Sequence, residues 1–406
     1  MKNKILIICP VVPYPENGAE QSDRANGIRQ LVRLGYEVRV IAKRKKNQSN
    51  SDISNFSKSV GNIDVQTVSY KYNLSDKTLL QKIKIIMKRL KHFSYLDGAA
   101  FEYTDPEMIN LMCNTIDIWK PDIVWFEYSY LWPLYQVAQK NKIPIVTRSL
   151  NYEAVHFLDE DGRSILNYLK SIPKFLSEKK VARASDLICS ITPQEEKIYK
   201  RIGARKTINL PLRGLHYLPE YIPNKESKNI NIFFMGSTYN VSHNKQALLF
   251  IIKNIAPALL EKYGNRVIIN ITGTKLPESI LNVFPRNVIY RGFIVDLNTF
   301  LKDMDIAIVP SLFGAGMQQK IFEPLMRGFP VITSDRGIAD YPFVKNADYL
   351  ESKTAQEYIN NIDKLVNDYD LRIRLGKAAR NKSKQLFDMN IIDSNLSREL
   401  NIICDN

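Results

Sequence analysis

The 406-residue chain alternates short apolar runs with amphipathic segments of helical spacing along almost its whole length. The first example is the apolar run 5–9, which is followed by a helical pattern at 19–34 and a second apolar run at 37–42. Strands that are buried on both faces of a parallel sheet read as continuous apolar runs, and the helices between them cover the sheet. The pattern therefore predicts an α/β protein built from β-α-β units.

The alternation stops once and then starts again. Further strand-like runs occur at 122–126, 143–147 and 186–190, and a stretch rich in proline and polar residues follows. The resumed pattern predicts strands at 231–236, 266–272, 287–290 and 305–309, with helices at 245–262, 297–303, 354–368 and 370–387. A chain of this length exceeds one ordinary core. We predict an N-terminal domain over 1–210, a linker over 211–229, a second domain over 230–388, and a tail over 389–406 that crosses back to the first domain.

Composition narrows the class of partner. The charge of +15 and the pI near 9.4 favour anionic partners, among them nucleotides, phosphorylated acceptors, anionic lipid and nucleic acid. The chain contains no nucleic-acid recognition motif, so we expect no nucleic-acid partner. It contains no apolar run long enough to cross a membrane. Cys9, Cys113, Cys189 and Cys404 are widely spaced, which indicates free thiols and neither disulfides nor zinc.

The N-terminus faintly resembles a secretion signal, because Lys2 and Lys4 precede an apolar stretch. That stretch is short, is interrupted by Cys9 and Pro10, and is not followed by a small-x-small cleavage site. A buried first strand and a cytoplasmic location are therefore expected.

The segment 313–334 is the most informative local pattern. Gly314 and Gly316 follow an apolar run and precede a short amphipathic helix, Gly328 and a second apolar run. Glycines let a backbone approach a phosphate closely, and a helix N-terminus offers free N–H groups and positive potential. Lys320 adds a full charge, and Glu323 lies on the same helix face. The pattern predicts a nucleoside diphosphate site, with Lys320 at the phosphates and Glu323 at the ribose. Turn glycines and an exposed Lys320–Glu323 pair are the alternatives.

The second half of the chain resembles glycosyltransferase family 4 (glycosyl transferases group 1) over roughly 228–388. The resemblance is carried by Phe234-Met-Gly-Ser-Thr-Tyr-Asn with Asn244 following, Ile271-Thr-Gly273, Val288-Ile-Tyr-Arg-Gly292, Ile306-Ala-Ile-Val-Pro310, Gly314-Ala-Gly-Met-Gln-Gln-Lys320 and Gly328-Phe-Pro-Val331. The first half matches more weakly, through Pro13-Tyr-Pro-Glu-Asn-Gly18 and Arg24. The resemblance implies α/β GT-B architecture, with two doubly wound Rossmann-like domains facing across a cleft.

The resemblance also implies site residues. The family often carries two glutamates eight residues apart; Glu323 matches the second, and Ala315 stands where the first would be. Many relatives carry a histidine where this chain has Leu150, and His156 lies six residues later. The expected donor-binding residues are Gly18, Gly236, Ser237, Gly314, Ala315, Gly316, Met317, Gln318, Gln319, Lys320 and Glu323. The expected catalytic residues are Lys320, Asn151, Glu153 and His156. Glu153 as a cap or ion-pair partner and Gly18 as an ordinary turn residue are the alternatives.

The activity that the resemblance implies is transfer of a sugar from a nucleotide-sugar to a glycan or lipid-linked glycan acceptor. A retaining hexosyltransferase of surface polysaccharide synthesis (O-antigen, lipopolysaccharide or capsule) is expected, without a metal ion or other cofactor. The alternatives are a nucleotide-sugar epimerase of the same fold and a non-enzymatic sugar- or nucleotide-binding protein.

One basic amphipathic segment stands apart from these motifs. Residues 77–93 place apolar side chains at helical spacing among Lys77, Lys82, Lys84, Lys88, Arg89 and Lys91. Such a helix can lie on an anionic membrane, or it can pack on its own domain with a solvated basic face. Peripheral contact with the inner membrane face through 77–93 is one expectation.

Overall fold

The computed structural model describes residues 3–70, 78–90, 93–221, 229–314 and 316–405. Tertiary contacts divide the chain into two compact units. Unit 1 comprises Met1–Leu158, Gly162–Arg213 and Asn390–Asn406, and unit 2 comprises Asp159–Asp161 and Gly214–Met389. The C-terminal segment thus packs with unit 1.

Unit 1 is built on a parallel sheet of seven strands, which run in the order β3-β2-β1-β4-β5-β6-β7. The strands are β1 Lys4–Cys9, β2 Glu37–Arg44, β3 Asp64–Ser69, β4 Ile123–Phe126, β5 Ile145–Ser149, β6 Leu187–Ser190 and β7 Thr207–Asn209. The central strands are apolar on both faces, and all side chains of β4 and β5 are buried. This is the doubly wound arrangement that the alternating pattern predicts.

Unit 2 repeats this topology with six parallel strands in the order β10-β9-β8-β11-β12-β13. The strands are β8 Ile230–Thr238, β9 Val267–Thr274, β10 Val288–Gly292, β11 Ile306–Val309, β12 Val331–Thr333 and β13 Leu350–Glu351. In both sheets the first three strands are added toward one edge, and the fourth strand then pairs with the first on its other side. The first and fourth strands are therefore neighbours at a topological switch point, which is β1/β4 in unit 1 and β8/β11 in unit 2.

Helices cover both sheets. Those of unit 1 are α1 Ala19–Arg33, α2 Asn50–Ser59, α3 Leu79–Leu90, α4 Gly98–Phe101, α5 Pro106–Trp119, α6 Tyr135–Lys140, α7 Glu153–Asp161, whose last turn belongs to unit 2, α8 Ile165–Ala184 and α9 Pro193–Arg201. Those of unit 2 are α10 Ser242–Phe250, α11 Ala256–Tyr263, α12 Glu278–Leu281, α13 Leu297–Leu301, α14 Gln319–Arg327, α15 Asp335–Ile338, α16 Ala355–Asn367 and α17 Tyr369–Leu386. The last helix is α18, Met389–Asp405. None of these described helices is long and apolar enough to cross a bilayer.

Close packing holds α14 in place within unit 2. Ile321, Phe322 and Leu325 on this helix are fully buried. The helix ends at Gly328, whose φ of +87° a side chain would strain. A Cβ atom added at Gly376 on α17 would lie 2.1 Å from the carbonyl oxygen of Gly328. The two backbones therefore touch, and this contact fixes where α14 begins relative to the carboxyl end of the sheet.

Candidate functional site

The switch point of unit 2 gathers the donor-site residues that the sequence predicts for this half. Gly236 and Ser237 lie at the carboxyl end of β8, and the loop with Gly314 and Gly316 follows β11. The two strands are hydrogen-bonded neighbours. Ligands of doubly wound sheets bind outside the carboxyl ends of strands at this position. The topology thus brings together two segments that are about 80 residues apart in the chain.

The glycine loop has the backbone that the sequence predicts. Gly314 has φ +115° and Gly316 has φ +76°, both in the left-handed region that side chains disfavour. Ala315 between them lies outside the described residues. Gln318 is extended, and α14 begins at the next residue, Gln319. Met317 itself is buried, and its sulfur accepts a hydrogen bond of 3.6 Å from the Tyr341 hydroxyl. This contact anchors the loop, and contact of Met317 with a donor stays a prediction.

The N-terminus of α14 has no side-chain cap and no acidic residue in its first turn. The Gln318 side chain, which stands at the capping position, donates instead to Ser311 Oγ at 2.9 Å. The first backbone N–H groups of a helix have no partner inside the helix, and together they carry a partial positive charge. This helix end therefore keeps its attraction for an anion.

Lys320 places an amine that can carry a positive charge in the first turn of α14. Its Nζ donates to Asn244 Oδ1 at 2.9 Å and lies 5.3 Å from the centre of the Phe234 ring. Among the described residues no carboxylate pairs with it, and withdrawal of the ammonium from water lowers the pKa of Lys320 to about 7. An anion bound at this place would raise that pKa again by stabilising the charged form.

Asn244 is a site residue that sequence reasoning missed. It is buried, and its amide nitrogen donates to Ser237 Oγ and to the Thr238 carbonyl, each at 3.0 Å. The same side chain thus joins Lys320 on α14 to the end of β8. Its place in the family-like segment after β8 was visible in the sequence, but its contact with Lys320, 76 residues away, was not.

Glu323 is buried, and its partners are Arg327 and Gln319 and not Lys320. Its Oε1 accepts from Arg327 at 2.8 and 3.0 Å, and its Oε2 accepts from the Gln319 amide at 2.8 Å. The alternative of an exposed Lys320–Glu323 pair is therefore wrong, because Arg327 one helical turn later neutralises the carboxylate. The ribose-binding role of Glu323 stays a prediction, and its Oε2, which accepts one hydrogen bond from the Gln319 amide, could accept a second from a hydroxyl.

Gly236 has a structural reason to be glycine. A Cβ atom added there would lie 2.7 Å from the Thr272 carbonyl oxygen on β9 and 2.2 Å from the Tyr239 hydroxyl. The close approach of β8 and β9 thus excludes a side chain whether or not a donor binds. A donor could contact only the backbone of Gly236.

The remaining predicted residues lie in unit 1. Gly18 precedes α1 in an extended conformation, and its place in the donor site stays a prediction. The Tyr128 hydroxyl donates to Glu153 Oε1 at 2.5 Å and accepts from the Asn151 amide at 3.2 Å, so Asn151 and Glu153 share one partner. His156 follows Glu153 on α7. Lys174 Nζ lies 4.0 Å from Glu153, which supports the ion-pair alternative for this residue.

The switch point of unit 1 is filled by buried ion pairs that sequence reasoning also missed. Asp23 on α1 and Glu127 after β4 are both buried and both pair with Arg213, at 2.7 and 3.0 Å. Arg148 at the end of β5 lies 3.4 Å from Asp23. Burial opposes the charge on Asp23, but Arg213 and Arg148 outweigh it and lower the pKa of Asp23.

Other features of the structure lie away from these switch points. A cavity of about 1040 Å³ in unit 1 is lined by residues at the amino ends of β5 to β7, such as Pro144, Asp186 and Lys206, and by none of the predicted site residues. Among the described residues no three His, Cys, Asp or Glu side chains are placed to hold a metal ion. Metal independence stays a prediction.

Comparison with known proteins agrees with this geometry. Residues 229–368 match the family model described as glycosyl transferases group 1. No curated protein matches the chain closely enough to transfer a function.

Several solved structures share the fold over the whole chain. Anabaena HepE, solved with UDP and glucose, is 13% identical with a TM-score of 0.68, over 98% of this chain and 99% of its own. Sucrose-phosphate synthase from Thermosynechococcus elongatus is 14% identical with a TM-score of 0.70, over 99% of both chains. A mutant of S. aureus TarM, solved with fondaparinux, α-GlcNAc-glycerol and UDP, is 12% identical with a TM-score of 0.69, over 100% of both chains. The chain therefore has the GT-B fold, and its segment 229–368 is similar to the glycosyl transferases group 1 family.

Proposed function

We propose that this protein is a glycosyltransferase that binds the diphosphate of a nucleotide-sugar at the N-terminus of α14. The observation that carries the proposal is the combination, at the switch point of unit 2, of an uncapped helix end and Lys320, which faces an amide and, in the described part of the chain, no carboxylate. Both groups favour an anion, and the glycine loop leaves room for a phosphate to approach the backbone. The family match over the same segment supports the choice of a sugar-linked diphosphate.

The chemistry follows from where charge develops. When the bond between the anomeric carbon and the phosphate oxygen breaks, negative charge grows on the departing diphosphate. Lys320 and the N–H groups of α14 stabilise that charge more strongly than they stabilise the intact donor, which lowers the barrier. A hexosyl donor, retention by front-side displacement and independence of a metal ion are further parts of the proposal, and they rest on the resemblance to the family.

Unit 1 is proposed to supply the acceptor side. Asn151, Glu153 and His156 lie at the carboxyl end of β5 or just after it, where side chains of doubly wound sheets meet ligands. A glycan or lipid-linked glycan of surface polysaccharide synthesis is the proposed acceptor. The structures of HepE and TarM that were solved with UDP make UDP the first nucleotide to test.

The test is thermal unfolding of the protein with UDP, GDP, CDP and ADP, compared with a Lys320→Met variant. A ligand at 100 times its dissociation constant stabilises a protein by about 2.7 kcal/mol, which is readily measured. We expect one nucleotide to raise the melting temperature of the wild type and to have little effect on the variant. No stabilisation by any nucleoside diphosphate at millimolar concentration would refute the proposal. An epimerised sugar formed from donor alone would favour the epimerase, and binding without turnover of any donor would favour the non-enzymatic alternative.

We also propose peripheral contact with the inner face of an anionic membrane through the segment 77–93, of which α3 is the described helix. Six apolar side chains form one face of α3 and all are exposed, with Leu79 and Leu80 accessible over 74% and 73% of their surfaces. No residue of α3 is buried. The helix thus presents its apolar face outward, opposite to a helix that packs on a core.

A further inference from the structure

The long helix α8 shares the unusual exposure of α3. Its large exposed apolar side chains range from 39% to 83% accessible and are concentrated in its first three turns; they are Ile165, Leu166, Tyr168, Leu169, Ile172 and Phe175. Single exposed apolar residues are ordinary, but a group of this size on one short stretch marks a surface that meets another apolar phase. The second half of α8 is different, because Ser177, Glu178, Val181 and Ala182 are buried against unit 1.

The two helices are attached to the same short segment of unit 1. Both α3 and α8 pack against the 3-10 helix Phe93–Leu96. Arg89 of α3 donates to the carbonyls of Tyr95 and Leu96 at 3.0 and 2.5 Å, and Lys174 of α8 lies 3.4 Å from Asp97. In α3 it is thus a basic side chain that faces the protein, while the leucines face outward. Polar contacts thus attach both helices to unit 1, and their apolar side chains stay exposed to solvent.

The charged residues of the two helices indicate which kind of surface they would contact. The twelve residues of α3 include four cations, Lys82, Lys84, Lys88 and Arg89, and no carboxylate. The first ten residues of α8 include the exposed Lys170, again with no carboxylate, while Lys174 faces Asp97 of unit 1. Exposed apolar side chains on two helical stretches that carry basic residues and no carboxylate fit the headgroup region of an anionic bilayer.

We propose that α8 is a second membrane-contact element, which together with α3 forms an interfacial surface for an anionic bilayer. The inference extends the proposed contact of α3 and rests on the proposed function for its purpose. Lys174 also lies 4.0 Å from Glu153, so α8 runs from this surface to the predicted acceptor residues. A surface placed there suits an acceptor that is anchored in the bilayer by a lipid and presents its sugar to unit 1.

The experiment is co-sedimentation of the full chain with vesicles of phosphatidylglycerol and phosphatidylcholine, or of phosphatidylcholine alone. We compare Leu166→Ser/Leu169→Ser on α8, Leu79→Ser/Leu80→Ser on α3, and the matched control Ile118→Ser/Val295→Ser, which removes two apolar side chains that are 81% and 91% exposed elsewhere. Each helix variant is expected to bind anionic vesicles at least roughly tenfold more weakly, because two leucines leave the bilayer, and the control is expected to bind like the wild type. Lys84→Gln/Lys88→Gln should reduce the salt dependence of binding.

The outcomes separate this inference from the proposals on which it rests. Normal vesicle binding by the α8 variant, with impaired binding by the α3 variant, would overturn the role of α8 alone. A wild-type dimer that the α8 variant converts to monomer in sedimentation equilibrium would also overturn it, since a second copy would then cover the face. Absence of vesicle binding by the wild type would remove both membrane proposals. Nucleotide stabilisation, measured without vesicles, tests the enzymatic proposal independently.

Discussion

The two units share one strand order but fill their switch points in opposite ways. In unit 1 the space beside β1 and β4 holds two carboxylates, Asp23 and Glu127, which both pair with Arg213, and Asp23 is also close to Arg148. In unit 2 the space beside β8 and β11 holds Lys320, whose partner is the neutral amide of Asn244. Topology therefore determines where a ligand site can form, and the local charge balance determines whether an anion is attracted to it.

The contrast has an energetic side. Buried charges in unit 1 have already exchanged their hydration for ion pairs, so an incoming phosphate would have to break existing contacts. Lys320 has lost hydration and pairs with no carboxylate in the part of the chain that the structure describes, and this burial lowers its pKa to about 7. In unit 2 a bound anion would pair with Lys320 and stabilise its charged form, so this ion pair would contribute to the free energy of binding.

Removing a carboxylate from unit 1 should have the largest effect on stability. Asp23→Ala leaves Arg148 and Arg213 buried without this partner, and loss of one member of a buried ion pair costs about 3–5 kcal/mol. We expect a large fall in the free energy of unfolding, measured by urea denaturation. The matched control is Asp64→Ala, which removes a partly exposed pair with Arg39 and should cost about 1 kcal/mol or less. Equal losses in the two variants would show that the unit 1 network is not a stabilising feature.

Removing the cation from unit 2 should affect binding and leave stability largely intact. Lys320→Met deletes a buried amine that pairs with no carboxylate among the described residues, so the free energy of unfolding should not fall. Nucleotide-sugar binding should weaken roughly 10- to 100-fold through loss of a charged hydrogen bond. Isothermal titration calorimetry measures the affinity. Unchanged affinity in the folded variant would remove Lys320 from the site.

Much of this arrangement follows from sequence, and the parts that do not have physical reasons. The ends of the central strands were predicted to within two residues, because these strands are buried on both faces and read as apolar runs. The strands β3, β7 and β13 were missed. Each lies at a sheet edge, and β7 and β13 are only three and two residues long, so they leave no apolar run to detect.

In the candidate site, too, features encoded by adjacent residues were predicted from the sequence, and contacts between distant residues were not. The strand, glycine loop, helix and strand around Gly314 and Gly328 were predicted because their signals are adjacent in sequence, and the structure confirms that order. Asn244 was not predicted, since its partner Lys320 is 76 residues away. Arg213 lies 190 residues from Asp23 and 86 from Glu127, so the unit 1 network could not be deduced from either neighbourhood.

Asn244→Asp tests whether unit 2 can be made to resemble unit 1. The substitution places a carboxylate at the atom that now accepts from Lys320, which should raise the pKa of Lys320 and neutralise its charge. We expect nucleotide-sugar affinity to fall by about tenfold or more. Asn361→Asp, which changes another buried asparagine on α16, is the control and should leave the affinity unchanged. Tighter binding by Asn244→Asp would contradict the argument from charge balance.

The lowered pKa of Lys320 also predicts a pH dependence of binding. In the free protein Lys320 begins to lose its proton near pH 7, and a bound diphosphate raises its pKa, so the complex keeps a proton that the free protein has released. Affinity should therefore be highest below pH 7 and fall by up to about tenfold per pH unit between pH 7 and 9. Calorimetry in buffers of different ionisation enthalpy should show proton uptake at pH 8. A wild-type profile as flat as that of Lys320→Met would contradict this linkage.

The smallest expected effect is that of a substitution at Gly18, which follows β1 at the switch point of unit 1. Gly18 occupies the N-cap position of α1 without a side-chain cap, and its extended backbone accepts other residues. A Cβ atom there would meet only the end of the flexible Gln21 side chain. Gly18→Ser supplies a capping hydroxyl three residues before Gln21, so stability should rise by a few tenths of a kcal/mol. If Gly18 is an ordinary turn residue, donor affinity stays at the wild-type value. If Gly18 belongs to the donor site as predicted, the added side chain weakens donor binding while the free energy of unfolding rises. A fall in both the donor affinity and the free energy of unfolding would contradict the capping argument.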